Sequence, residues 1–184
     1  MENIFSRIVA IILLIIAFPF LVICILIIRM ESKGNPIFKQ SRVGKKGEIF
    51  TIYKLRTMYL GKEPIHIVSS MELEKHEYHR ITYIGKFFRK YHIDEIPQLW
   101  NIVKNEMSFV GPRPLIIPMV EKIYYAPRDE KVKPGLTGLA QISSLRKIKG
   151  YNTLKLDKFY CKKRNTKLDL FIVYMTLFYI FCKR

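Results

Sequence analysis

The stretch IVAIILLIIAFPFLVICILII, residues 8–28, carries no charged side chain over 21 positions. As an α-helix it would be about 31 Å long, which matches the hydrocarbon core of a bilayer. Its simplest interpretation is a transmembrane anchor. The sequence therefore predicts a membrane helix as the first element of the fold.

A proline interrupts this apolar run. Pro19 has no backbone donor and its ring clashes with the carbonyl four residues earlier, so we expect the helix to break or kink at Phe18 and Pro19. Arg7 precedes the run and Arg29 follows it, so the positive-inside rule does not orient a straight span. Positive charge at both ends favours a re-entrant helix that stays on one face of the membrane. A straight span is the alternative, because spanning helices tolerate proline.

The chain as a whole is strongly basic. Its 184 residues include 32 Lys and Arg against 15 Asp and Glu, a formal net charge of +17, although 49% of the residues are hydrophobic. Such a surface attracts nucleic acid, anionic lipid headgroups or phosphorylated small molecules, and charge alone does not choose among them. The length is typical of one modest domain.

A second apolar stretch, LDLFIVYMTLFYIFC, occupies residues 168–182. Its 15 residues are too few to span a bilayer comfortably, and basic residues flank it on both sides. It predicts a helix that either lies in the headgroup region or packs on the protein core.

A hairpin is predicted at residues 37–56, IFKQSRVGKKGEIFTIYKLR, with GKKG as its turn. Phe50 and Ile52 alternate with polar positions in the second strand. Lys54 and Arg56 follow at a spacing of two, which places both cations on one face of a continuing strand. They are a candidate phosphate contact, and a solvated sheet edge is the alternative.

The stretch YHIDEIPQLW, residues 91–100, predicts the start of a helix. Apolar residues recur from there at helical spacing: Ile96, Leu99, Trp100, Val103 and Met107. Pro97 is acceptable only in a first turn, so the helix should begin near Asp94 or Glu95. Asp94 would then be its N-cap, where an acid complements the helix dipole.

Basic residues surround this acidic pair in the sequence. Arg89 lies just upstream, and Arg113 is held between two prolines in GPRP, residues 111–114. We expect such cations to lower the pKa of Asp94 and keep it ionised, as a nucleophile or a Mg²⁺ ligand must be. Mg²⁺ takes one or two protein carboxylates and completes its shell with water and phosphate oxygens. The pattern favours phosphoryl transfer.

Three stretches carry a family resemblance: YKLRTM (53–58), DEIPQLWNIVKNEMSFVGPRP (94–114) and KPGLTGLAQ (133–141). In this order they resemble the bacterial sugar transferases of the monotopic phosphoglycosyl transferase type. The resemblance implies an α+β, mostly helical fold. It divides the chain into a re-entrant membrane helix at 1–33 and a catalytic domain at 34–184, which holds a small β-hairpin and interfacial amphipathic helices.

The resemblance also implies a reaction. A sugar 1-phosphate would pass from a UDP-sugar to a polyprenol phosphate such as undecaprenyl phosphate, with release of UMP, as the first membrane step of glycoconjugate synthesis. Mg²⁺ would be required. The active site would lie on the cytosolic face of the bacterial inner membrane, and the lipid bilayer itself would be a partner.

Residue roles follow from the same resemblance. Asp94 would be the nucleophile, form a covalent phosphosugar intermediate and hold Mg²⁺, while Glu95 would handle a proton at the acceptor. The candidate phosphate-binding residues are the cations Lys54, Arg56, Arg89, Arg113 and Arg146.

A competing hypothesis is a membrane-tethered basic protein that binds nucleic acid or anionic lipid. It predicts aromatic residues interleaved with cations and has no need of acids. The acidic pair before GPRP argues against it, and we expect no nucleic-acid partner.

Overall fold

The computed structural model describes residues 2–60, 80–116, 132–145 and 153–182. Most of this described structure is helical. The α-helices are α1 (Glu2–Glu31), α2 (Tyr83–Lys90), α3 (Leu99–Val103), α4 (Leu139–Leu145), α5 (Thr153–Lys163) and α6 (Thr166–Cys182), with short 3-10 helices at Lys45–Gly47 and Ile93–Gln98. Together with two small sheets they confirm the prediction of a mostly helical α+β fold.

The larger sheet contains the predicted hairpin. Strands β1 (Ile37–Val43) and β2 (Ile49–Leu55) are antiparallel. The short strand β4 (Leu115–Ile116) extends the other edge of β1. Strands β3 (Ser108–Val110) and β5 (Gly135–Thr137) form a separate parallel pair. The hairpin prediction is confirmed in its position and in its turn.

The long helix α1 continues without interruption from Glu2 to Glu31, with Pro19 inside it. The predicted break of the helix at Phe18 and Pro19 is therefore wrong, whereas the predicted kink stays a prediction, because a continuous helix can still bend at a proline. A proline removes one backbone hydrogen bond, and the turns on either side retain theirs. In the part of the chain that the structure describes, residues 4–31 are the one helix long and apolar enough to cross a membrane.

Helix α1 packs on the domain along a single stripe. Ala10, Cys24 and Ile28 are buried on that stripe. The remaining circumference is apolar and exposed, at Ile4, Phe5, Ile8, Ile11, Ile12, Leu13, Ile15, Ile16, Phe18, Phe20, Val22, Ile23, Leu26, Ile27 and Met30. An exposed apolar surface of this extent is typical of a membrane contact.

Both ends of α1 are bound to the same domain. Near its start, Arg7 Nε donates to the carbonyl of Val103, at 2.8 Å. Near its end, the Glu31 carboxylate accepts from the backbone N–H of Ile84, at 3.1 Å. The helix therefore lies along the domain instead of projecting from it.

Helix α6 confirms the core-packing interpretation of residues 168–182, and its position in the headgroup region stays a prediction. Ile172 is fully buried, and Leu168, Met175 and Tyr179 pack against the same cluster. Its other side exposes Leu170, Phe171, Tyr174, Leu177, Phe178 and Phe181. One face belongs to the core and the other is apolar and open.

Strand β2 positions the site because it holds helix α3 through both apolar and hydrogen-bond contacts. Phe50 and Ile52 enter a core cluster with Leu99 and Ile102, which fixes α3 against the sheet. The fully buried Asn101 strengthens this link, since its amide nitrogen donates to the carbonyl of Thr51, at 2.6 Å. The segment before α3 is therefore held beside the end of β2.

Candidate active site

The acidic pair lies in a 3-10 helix, Ile93–Gln98, and the α-helix begins only at Leu99. The cap position is taken by His92, which has a left-handed backbone (φ 54°) and makes no side-chain cap bond. Asp94 is therefore inside the first turn, and its prediction as an α-helix N-cap is wrong. Pro97 lies inside this 3-10 helix, close enough to its start that the missing backbone donor is tolerated.

The apolar stripe predicted for this helix is also shorter than expected. Helix α3 ends at Val103, and Asn105 has a left-handed backbone (φ 69°), which is typical just after a helix C-terminus. Met107 is buried beyond the helix, whereas Trp100 is half-exposed. The helical period identified the element but overstated its length.

Asp94 is buried, with 8% of its surface exposed. This burial raises the pKa of Asp94 above its ordinary value, and the negative charge of Glu95 adds to the effect. Lys54, His92 and Arg89 act in the opposite direction without overcoming it. The expectation of a low pKa for Asp94 is wrong, because burial outweighs the surrounding cations.

Glu95 has the stronger cationic partners. Lys54 Nζ lies 2.6 Å from Glu95 Oε1, and His92 Nδ1 lies 3.8 Å from Glu95 Oε2. Burial alone would raise the pKa of Glu95, but His92 and Lys54 outweigh it and lower the pKa to about 2. The same interaction raises the pKa of His92. The pair thus combines one firmly ionised carboxylate with one whose ionisation is costly.

A pocket of about 100 Å³ opens beside Glu95. Its wall includes Lys54 and Arg113, which the sequence predicts to bind phosphate, and Arg42, which it does not. A pocket of this volume has room for several water molecules and so for the phosphate group of a larger ligand. The remainder of such a ligand would lie on the open side.

Sequence reasoning also missed three uncharged or weakly charged residues of the pocket wall, His92, Gln98 and Gln141. His92 and Gln98 flank the acidic pair, so proximity in sequence was the available signal. For Arg42 the signal in the sequence was weaker. This residue stands in β1, and the two-residue strand β4 that pairs with it is too short to predict from periodicity.

The other predicted cations have different positions. Arg89 Nε donates to Thr57 Oγ1, at 2.8 Å, and its charge acts on Asp94 from outside the pocket wall. Arg146 lies outside the described residues.

Arg56 belongs to a junction at the end of α1. It is 5% exposed, and its Nη2 donates to the carbonyl of Ser32 at 2.6 Å and to Ser32 Oγ at 2.8 Å. Its Nη1 donates to the carbonyl of Lys33, at 2.9 Å. The structure does not bring Arg56 together with Lys54, because β2 ends at Leu55 and the alternation of faces ends with it.

The acidic pair is a chemically suitable donor set for Mg²⁺. Two adjacent carboxylates, Asp94 and Glu95, satisfy the small protein share that this ion takes when phosphates supply other oxygens. A divalent cation beside them would also relieve the repulsion that raises the pKa of Asp94. No cluster of three or more His, Cys, Asp or Glu occurs among the described residues, so a metal held by protein groups alone is not indicated there.

The bacterial sugar transferase family matches residues 1–183. The chain belongs to that family. Among relatives of this sugar transferase, the uncharacterized sugar transferase EpsL of Bacillus subtilis is 35% identical, with 96% of this chain and 85% of the relative aligned. The galactosyl transferase CpsE of Streptococcus agalactiae is 37% identical over 83% of this chain and 36% of the relative.

A third relative carries a more specific name. The UDP-glucose:undecaprenyl-phosphate glucose-1-phosphate transferase of Klebsiella pneumoniae is 33% identical over 93% of this chain and 38% of the relative. The chain thus spans less than two-fifths of the length of the Streptococcus and Klebsiella proteins. The similarity covers nearly all of this sugar transferase and only a part of those larger proteins.

Proposed function

We propose that this sugar transferase moves a sugar 1-phosphate from a UDP-sugar to undecaprenyl phosphate and releases UMP. The carrying observation is a small pocket that Glu95, Lys54 and Arg113 line, with Asp94 next to Glu95 in the chain and behind the pocket wall. The name of the Klebsiella relative, which specifies a UDP-sugar donor and an undecaprenyl phosphate acceptor, supports the same substrates.

The proposed chemistry has two displacements at one phosphorus atom. A carboxylate oxygen of Asp94 attacks the sugar-linked phosphorus of the donor, and the bond from that phosphorus to the bridging oxygen breaks, so that UMP leaves with the electron pair. An oxygen of the acceptor phosphate then attacks the same phosphorus and displaces Asp94. A covalent aspartyl phosphosugar divides one transfer between two highly charged species into two easier steps.

Neighbouring groups have distinct tasks in this scheme. Glu95 would take up a proton from the acceptor phosphate only after the charge of Lys54 is drawn to the phosphoryl oxygens, because the pair with Lys54 helps to hold its pKa at about 2. Lys54 and Arg113 stabilise the charge on the phosphoryl oxygens from the pocket wall. Arg89 favours ionised Asp94 through its charge.

Mg²⁺ fits this site through Asp94 and Glu95, and when bound it would neutralise charge on the phosphate oxygens.

The packing of α1 supports a location within one leaflet. Ala10 and Ile28 are 18 positions apart, about 27 Å along a helix, and both are buried against the same charged domain. A straight span would carry that domain into the hydrocarbon region, where charged groups are costly. We therefore infer that residues 1–33 form a monotopic membrane element of the inner membrane, with the domain at 34–184 on the cytosolic face.

Product analysis and intact mass test this function. Full-length protein in detergent or nanodiscs, incubated with UDP-sugars, Mg²⁺ and undecaprenyl phosphate, should release UMP. On rapid quenching without acceptor, the chain should gain the mass of one sugar phosphate, and Asp94→Asn should not. Release of UDP would instead indicate transfer of the sugar without its phosphate and would refute the proposal.

A further inference from the structure

We propose that Arg42 is a phosphate-binding residue and forms, with Arg113, a clamp of two guanidinium groups in the pocket. This inference rests on the proposed function, since it assigns one of the substrate phosphates to a residue of the wall. The phosphate belongs either to the donor diphosphate or to the acceptor monophosphate, and the two share the same recognition chemistry.

Two hydrogen bonds fix the position of the Arg42 side chain. Its Nη1 donates to the carbonyl of Pro114, at 3.1 Å, and its Nη2 donates to Gln40 Oε1, at 2.6 Å. Pro114 directly follows Arg113 in the GPRP turn. Arg42 is therefore tied to the backbone that presents the second guanidinium of the pocket.

These contacts leave one donor of the Arg42 guanidinium, Nε, without a partner in the described residues. This Nε atom is also buried. A buried donor without a partner costs free energy in the isolated protein, and a bound oxygen atom would recover it. Because Arg42 lines the pocket, a ligand there is the available source of that oxygen.

The pocket wall carries more positive than negative charge around Arg42. Burial lowers the pKa of Arg42, and repulsion from Arg113 lowers it further, so the two guanidinium groups lie close enough to disfavour each other. Glu95 attracts Arg42 but is already paired with Lys54, at 2.6 Å. A phosphate group carries negative charge on tetrahedrally arranged oxygens, and each planar guanidinium group can donate to two of these oxygens at once.

Two glutamines extend the same pattern. Gln98 Nε2 and Gln141 Oε1 are also buried atoms without a partner among the described residues, and both residues line this pocket. Together with Arg42 Nε they offer donors and an acceptor to one ligand. Arg42 Nε and Gln98 Nε2 can donate to anionic oxygens, whereas Gln141 Oε1 can only accept from a donor group of the same ligand.

The competing explanation is that Arg42 only braces the GPRP turn. Arg80 provides a matched control for this possibility. Its Nη2 donates to the carbonyl of Tyr59, at 3.5 Å, and its Nε is buried without a partner in the described chain, but it does not line the pocket.

Equilibrium binding to the full-length chain tests the clamp, with UDP and a short-chain polyprenyl phosphate as separate probes. We expect Arg42→Gln to weaken binding of at least one probe about tenfold to a hundredfold, because it removes charge-assisted hydrogen bonds to a phosphate. Arg80→Gln should change both affinities less than about twofold. Arg42→Lys should recover part of the lost affinity, because it restores the charge without the fork.

Each outcome decides the inference. Weaker UDP binding assigns the clamp to the donor diphosphate, and weaker binding of polyprenyl phosphate alone assigns it to the acceptor. Affinities of Arg42→Gln equal to those of Arg80→Gln overturn the clamp, as does Arg42→Lys binding no better than Arg42→Gln, which a bracing role predicts. Failure of the proposed function is separate, because it appears as absence of UMP release by the wild-type chain while the binding differences persist.

Discussion

The pocket and the junction at the end of α1 are built around two cations that stand two residues apart. In the pocket, Lys54 pairs with the Glu95 carboxylate and faces an opening. At the junction, Arg56 is buried and its guanidinium donates to Ser32 and Lys33. A cation beside an ionised acid in an open pocket is suited to catalysis, whereas a cation surrounded by carbonyl oxygens is suited to holding two segments together.

The largest effect is expected in the pocket, from Asp94→Asn. We predict a loss of turnover of at least about 10³-fold, because an amide cannot attack phosphorus. Stability at neutral pH should rise, since a carboxyl with a raised pKa in the folded state costs folding free energy once it ionises. UMP release and thermal unfolding measure the two effects. Loss of turnover accompanied by unfolding would contradict a catalytic role that is separate from folding.

Lys54→Met should reduce turnover by about 10²- to 10³-fold through loss of charge beside the phosphates. It should also raise the pKa of Glu95 from about 2 towards its ordinary 4.5. A lowered folded pKa stabilises the protein above the unfolded value, and this stabilisation is lost as pH falls through the folded value. The loss of stability on acidification should therefore be smaller in Lys54→Met than in the wild type and end at a higher pH, which unfolding measured between about pH 2 and 5 would detect.

Lys104→Met is the matched control for that change. Lys104 Nζ lies 2.7 Å from Glu106 Oε1, a pair of nearly the same length outside the pocket. We expect at most about 1 kcal/mol of destabilisation and unchanged turnover. Equal losses of turnover in the two variants would mean that the pocket gives Lys54 no special role.

The features that could be predicted from sequence are those with a local cause. The hairpin at residues 37–56 follows from alternation around a glycine-containing turn, and the apolar helices follow from long runs without charge. The acidic pair and GPRP stand close in sequence, and the structure gathers Glu95, Lys54 and Arg113 around one pocket.

The features that could not be predicted depend on tertiary contacts. Arg56 leaves the face of Lys54 because the strand ends between them, and Arg42 of β1 meets the GPRP segment because the two-residue strand β4 pairs with β1. The raised pKa of Asp94 depends on how deeply the domain buries it, which charge counting along the chain does not reveal.

At the junction, Arg56→Gln should lower stability by about 2 kcal/mol, because it removes charge-assisted hydrogen bonds from a buried guanidinium to the carbonyl groups of Ser32 and Lys33. Turnover per folded molecule should stay close to the wild-type value. Chemical unfolding and UMP release, measured on the same preparation, test this separation. A drop in turnover as large as that of Lys54→Met, with stability retained, would place Arg56 in the substrate site after all.

Ser32→Ala is expected to have the smallest effect of these changes. It removes the Oγ acceptor at 2.8 Å from Arg56 Nη2 and leaves the carbonyl acceptors of Ser32 and Lys33 in place. The expected loss of stability is about 0.5 to 1 kcal/mol, with no change in turnover. In the Arg56→Gln background the same change should cost almost nothing, because its partner is gone. Additive losses in this double-mutant cycle would show that the junction is not the unit that its hydrogen bonds describe.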